Sequence, residues 1–219
     1  MENNILSEDL ESVINLLKTK DPKLTAGPSV NKFEELWSEW LGCKYSVFVN
    51  SGSSSNLMAI CYLKLLFPKG GKIIIPPLTW SSDIASIIHM GFEPLFVDIN
   101  LRTLAIDSIK LEEKLKIEEN VLAVFLTHAQ GLNGLSQETI DICKKYNVCL
   151  IEDVCESHGV LLESGEKAGN AGLMSCFSFY YAHHMSTIEG GMVCTNDKKV
   201  YDTLRMMRAH GLLREIDNN

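Results

Sequence analysis

Seven short, continuously apolar runs alternate with helical patterns along the chain, and this alternation narrows the possible folds more than any other feature. The runs fall at residues 45–49, 72–75, 93–99, 121–127, 148–151, 174–180 and 192–195. Helical patterns separate most of them, at 55–66, 82–90, 106–115 and 138–146, and another follows at 200–209. A strand that is apolar along its whole length is buried on both faces. The pattern therefore predicts a mostly parallel central sheet between two layers of helices, a three-layer α/β/α architecture. In such sheets ligands bind beyond the carboxyl ends of the strands. The small-residue turn NSGSSSN at 50–56, Trp80, His128 and Asp153 are all expected at those ends.

Two helices precede the first strand. Residues 7–18 carry Leu10, Val13, Ile14 and Leu17 on one face, with Ser7 able to cap. Residues 30–41 carry Phe33, Leu36, Trp37 and Trp40, an aromatic stripe that reads as core or subunit contact. Two prolines and a glycine at 21–28 divide them. The expected organisation is an N-terminal helical segment at 1–30, a large domain at 31–210 and a polar tail at 211–219.

Charge narrows the partners. The net charge of -8 argues against a nucleic-acid partner or an anionic membrane surface, since both need clustered Lys and Arg. One local phosphate pocket remains open, because backbone amides build it without net charge. The start is polar and acidic, and no apolar run approaches the roughly 20 residues of a membrane span. A cytoplasmic setting is expected. Seven cysteines without CxxC spacing read as reduced thiols, so no zinc or other metal site and no disulfide framework is expected. Cys155 reads as a small core filler.

Taken singly, the polar residues at the strand ends leave alternatives open. The 50–56 turn can gather amide donors around an anion or serve as a plain helix cap. Trp80 can stack on a flat ring or plug the sheet edge. Asp153 can cap a helix or set an acid against a ring nitrogen and keep it protonated. The His183–His184 pair can be two polar loop residues or supply a base near neutral pH.

Together and in order, NSGSSSN, IEDVCESHG (151–159) and FSFYYAHHMSTIEGG (177–191) resemble the DegT/DnrJ/EryC1/StrS sugar aminotransferase family. These are pyridoxal phosphate enzymes of the aspartate aminotransferase type that act on nucleotide-linked keto-sugars. The resemblance covers nearly the whole chain. It implies that Gly52, Ser53 and Ser178 bind the cofactor phosphate, Trp80 stacks on its ring and Asp153 meets the ring nitrogen. Glu156 stands where the family usually has a glutamine near the ring hydroxyl. His183 stands six residues before the EGG, where the family has a lysine.

That lysine has two tasks: it fixes the cofactor covalently and it moves a proton. Histidine can perform only the second. The pieces HHxxTxEGG, EDxCES and RAHG are similar to those of the histidine-containing sugar 3-dehydratases within the family. The implied activity removes the C3 hydroxyl of a nucleotide-linked 4-keto-6-deoxyhexose in deoxysugar (lipopolysaccharide or O-antigen) biosynthesis. His183 would be the catalytic base and pyridoxamine phosphate the working cofactor. Glutamate would be the amino donor, and a homodimer the assembly. A nucleotide-sugar aminotransferase, an iron–sulfur-assisted CDP-sugar 3-dehydrase and a non-catalytic cofactor-binding fragment are the alternatives. Family members are longer, and the chain is expected to stop before their C-terminal small domain.

Overall fold

The computed structural model describes residues 5–212. Residues 1–4 of the expected N-terminal segment and 213–219 of the expected tail lie outside the described residues.

The elements run α1 Ser7–Leu17, α2 Pro28–Leu41, β1 Tyr45–Val49, α3 Gly52–Leu66, β2 Lys72–Ile75, α4 Ser81–His89 and β3 Glu93–Phe96. They continue α5 Ser108–Ile117, β4 Val121–Thr127, α6 Gln137–Lys145, β5 Cys149–Asp153, β6 Met174–Ser178, β7 Gly191–Thr195 and α7 Lys198–Arg208. Among the described residues seven strands form one sheet, in the order β1-β7-β6-β5-β4-β2-β3. β7 runs antiparallel to both of its neighbours, and every other pairing is parallel. The carboxyl ends of six strands therefore share one edge with the amino end of β7.

Strand periodicity builds the three layers. In β4, Ala123 and Phe125 face a core shared with α3, α4 and α7, which contribute Ile60, Leu63, Ile87, Val200 and Leu204. Val124 and Leu126 face the other core, with Trp37 and Leu41 of α2, Leu111 of α5 and Ile142 of α6. Each such side chain contributes about 1.5–3 kcal/mol by leaving water. Truncating fully buried Phe125 to alanine would cost about 3–5 kcal/mol and open the sheet on one face.

Several boundaries differ from the sequence expectation, each for a local reason. α3 starts at Gly52, three residues early, because Ser51 is its N-cap and accepts the Ser54 N–H at 3.1 Å. The 50–56 stretch is thus mostly first helical turn. α5 starts at Ser108, where Asp107 accepts the amides of Ile109 and Lys110. β6 stops at Ser178, and the Phe179 amide turns to the Gly190 carbonyl at 2.9 Å. The run 93–99 leaves the sheet after Phe96, and Ile99 bridges to Ile106. α1 forms as expected but buries nothing, so its apolar face lies in solvent. Among the described residues no helix is long and apolar enough to cross a membrane.

Arg208, of the RAHG piece, ties the last helix to the body. Its guanidinium pairs with Glu34 of α2 and donates to the Phe48 carbonyl of β1 at 3.0 Å. Glu34 also accepts the Phe48 N–H at 2.7 Å.

Candidate active site

A cavity of about 1200 Å³ opens at the shared strand edge. All seven residues singled out in the sequence line it: Gly52, Ser53, Trp80, Asp153, Glu156, Ser178 and His183. The sheet topology accounts for this convergence, since β1, β2, β5 and β6 each end beside it.

The start of α3 meets the end of β6 at one side of this cavity. With Ser54 N–H on the cap oxygen and Ser55 N–H on the Ser51 carbonyl, the Gly52 and Ser53 amides are left at the open end of the helix. Ser178 sits directly against them. A Cβ on Gly52 would meet the Ser178 Cβ at 2.6 Å and its Oγ at 2.9 Å. Gly191, the last residue of the EGG, is held equally close, since a Cβ there would stand 2.2 Å from the Ser51 carbonyl oxygen. Two glycines thus let β6, β7 and the start of α3 meet.

Trp80 is 65% exposed, so it does not plug the sheet. It is the N-cap residue of α4 without a side-chain cap bond, which leaves its ring free beside the cavity. Asp153, the last residue of β5, is only 3% exposed and accepts the Cys155 N–H at 2.8 Å. Glu156 accepts from both the backbone and the side-chain nitrogen of Gln130, at 3.1 and 3.3 Å. Cys155 departs from the expected core filler: it is only half-buried and lines the cavity, and burial followed by the Asp153 charge pushes its thiol well up.

His183 lies on the loop between β6 and β7, where its N–H bonds the Tyr180 carbonyl at 3.0 Å. Burial pushes its imidazole below the ordinary value; Glu156 and Asp153 push the other way, and His184 adds to the lowering. Behind it His158 sits among Trp37, Phe177 and Phe179. The His158 ring centroid is 6.2 Å from that of His183 and 5.5 Å from that of exposed His184.

His128 departs from the expectation. It follows β4 at the right edge, yet it is fully buried and turned into the fold. Its Nδ1 accepts the Gly134 N–H at 3.1 Å, so Nε2 carries the proton and donates to Glu152 at 3.2 Å. Glu152 also accepts the amides of Gly169, Ala171 and Gly172. Burial pushes Glu152 up, but His128 and these amides outweigh it and hold the carboxyl below its usual value. This pair braces the loop before β6 and does not serve the cavity.

Sequence reasoning missed Asp83. It is fully buried in the first turn of α4 and accepts from Asn56 Nδ2 and Thr79 Oγ1. Thr79 and Thr127 join their hydroxyls at 2.6 Å beside it. An acid in a first helical turn is ordinary, so SSDIAS gave no signal.

The fold and this edge define a class: an α/β domain with a helix start, a buried acid and a histidine around one cavity at the strand ends. The chain belongs to the DegT/DnrJ/EryC1/StrS aminotransferase family, whose profile matches residues 3–219. It is 38% identical over 196 residues to the GDP-4-keto-6-deoxy-D-mannose 3-dehydratase of Yersinia pseudotuberculosis, covering 88% of this chain and 49% of that protein. Its fold matches the E. coli GDP-4-keto-6-deoxy-D-mannose-3-dehydratase with bound hydrated PLP at a TM-score of 0.86 and 31% identity, over 100% of this chain and 55% of that one. A GDP-4-keto-6-deoxymannose-3-dehydratase with a trapped PLP-glutamate geminal diamine matches at 0.87 and 30%, over 100% and 56%. The chain spans about half the length of the curated relatives it matches.

Proposed function

We propose that this chain is the cofactor-binding part of a nucleotide-sugar 3-dehydratase. One observation carries the choice over transamination: among the described residues no lysine lines the cavity, and His183 stands on the loop where the family places its lysine. The fold, the cavity and the family membership accommodate either reaction; the missing amine favours the dehydratase.

The residues present fit pyridoxal or pyridoxamine phosphate. The close approach of Gly52 to Ser178 leaves a cradle that a Cβ would fill, and a phosphate suits its amide and hydroxyl donors. Ser53 adds a second amide, Trp80 would cover the ring, and Asp153 would face the ring nitrogen. Glu156 would approach the ring hydroxyl. When bound, the cofactor supplies an electron sink for the carbon that loses a proton.

The chain's own part is positioning and proton transfer. Asp153 stands at the cavity wall and accepts the Cys155 N–H, which fixes its direction. His183 takes a proton on its neutral ring nitrogen and returns it to the departing C3 hydroxyl, which leaves as water. Overall, a nucleotide-linked 4-keto-6-deoxyhexose and glutamate would give the 3-deoxy keto-sugar, 2-oxoglutarate and ammonia, which balances atoms and electrons. In this reading residues 31–210 are the cofactor domain. The exposed apolar face of α1 supports a homodimer as the working assembly.

The test is incubation with pyridoxal phosphate, glutamate and a panel of nucleotide-linked 4-keto-6-deoxyhexoses, with products read by mass spectrometry. Loss of the C3 oxygen is expected. A stable 4-amino sugar would establish transamination instead, and cofactor binding without turnover would leave only a binding fragment.

A further inference from the structure

We propose that Gln130 is a positioning residue: a left-handed turn after β4 sets two of its N–H donors on one oxygen of Glu156 and leaves the other oxygen for a ligand in the cavity. The turn and its hold on Glu156 belong to the protein alone. What they do for a cofactor rests on the reading of Glu156 given above.

The turn runs from Ala129 to Leu132, whose N–H donates to the Ala129 carbonyl at 2.9 Å. Its two central residues, Gln130 and Gly131, both have positive φ, 56° and 80°. That is the pattern of a type I′ turn. Glycine adopts such a backbone freely, and glutamine seldom does. The surroundings hold it there. The His128 N–H donates to the Asp153 carbonyl at 2.9 Å. Ser157, fully buried, donates to the His128 carbonyl at 2.6 Å and accepts the Gly131 N–H at 3.1 Å. The turn is therefore tied on both sides of Gln130 to the segment that carries Glu156.

In this backbone Gln130 meets Glu156 twice. Its main-chain nitrogen and its Nε2 both donate to Glu156 Oε2, at 3.1 and 3.3 Å. Among the described residues no donor reaches Oε1. Both residues line the cavity. The Glu156 charge also acts on the His183 imidazole. A Coulomb attraction fixes no direction, whereas N–H donors do. The main-chain donor is set by the turn, so it loses little freedom on bonding. A glycine at 130 would build the same turn with less strain. Glutamine adds the second donor, and strain kept beside a cavity suits a role for that side chain.

Two measurements test the pairing and its use. Gln130 is exposed, so its main-chain amide exchanges with solvent as in a free chain unless Glu156 holds it. Hydrogen exchange followed by NMR on the cofactor-free protein should show that amide slowed about tenfold or more, and Glu156→Ala should remove the slowing. Exchange at the free-chain rate in the unsubstituted protein, or equal slowing in E156A, would overturn the proposal. Titration with pyridoxal phosphate then reads the positioning. Gln130→Gly keeps the left-handed backbone and its N–H and loses only the side-chain donor. It should weaken binding about three- to tenfold, the range of one ordinary hydrogen bond, and should weaken it no further when Glu156 is already alanine. Unchanged binding by Q130G, or the same weakening in both backgrounds, would overturn the positioning role. Failure of the unsubstituted protein to bind pyridoxal phosphate would overturn the cofactor reading, and the cofactor role of Gln130 with it.

Discussion

Gly52 and Ser178 touch so closely that the glycine cannot carry a side chain, since a Cβ would stand 2.6 Å from the serine Cβ. The contact joins the start of α3 to the end of β6, and it shapes the side of the cavity proposed to hold the cofactor phosphate. Gly52→Ala is expected to destabilise the fold by about 1–3 kcal/mol, the usual cost of overpacking. It should also weaken pyridoxal phosphate binding, because the displaced helix start no longer aims its amides. Adding Ser178→Gly should restore stability in part while binding stays weak, since the hydroxyl is then lost. Thermal melts and cofactor titrations of the single and double variants check this coupling.

His183→Asn should keep cofactor binding and lose dehydration by about 10²–10⁴-fold, the range of a removed acid–base group. His183→Lys should gain a covalently attached cofactor that borohydride fixes to residue 183. Mass spectrometry of the digested protein reads this. Dehydration by His183→Lys at the original rate would show that the histidine does not carry the chemistry.

The direction of the His183 shift sets a pH dependence. Burial holds the folded imidazole below the ordinary value of about 6.5. As a base it works when neutral, so activity should persist as pH falls through about 6.5 and decline only below it. Glu156 opposes the lowering. Glu156→Gln should therefore move the acid limb of the kcat/KM profile to still lower pH. A limb that moves upward would contradict this placement of charge.

The strands were the most legible part of the chain. VLAVFLT is buried on both faces, so its apolar run and its length gave β4 without ambiguity. The start of α3 was less so, because several serines in a row can each cap and only the fold selects Ser51. Placement at the strand edge was correct for His128 but said nothing of direction. That ring turns inward only because Gly134 and Glu152 offer it partners. Asp83 was invisible because Asn56, which donates to it, is distant in sequence and its own segment reads as an exposed first turn. The junction of α3 and β6 was half legible: its serines suggested donors, but the fit of Gly52 against Ser178 needs both elements in place. His183 on its residues alone was a loop histidine. The role expected of it entered through the family resemblance, and it lines the same cavity as Asp153 and Glu156.

His158 gives a prediction about stability, not turnover. Its ring is packed against Trp37, Phe177 and Phe179 and makes no side-chain hydrogen bond of ordinary geometry, with the Ser178 backbone as its polar neighbour. Burial, then the neighbouring His184 and His183, lower its pKa to about 3. In the unfolded chain it titrates near 6.5. Between those values the unfolded state binds the extra proton, so stability is fully present above about 6.5 and falls as pH drops toward about 3. The slope is at most about 1.4 kcal/mol per pH unit, and less because part of the residue still meets water. His158→Phe keeps a ring of similar shape in the aromatic box and cannot take the proton. It should match the original protein near pH 7 and exceed it in stability near pH 4.5. Urea midpoints at the two pH values check this, and an unchanged pH dependence in the variant would assign the acid sensitivity to other groups.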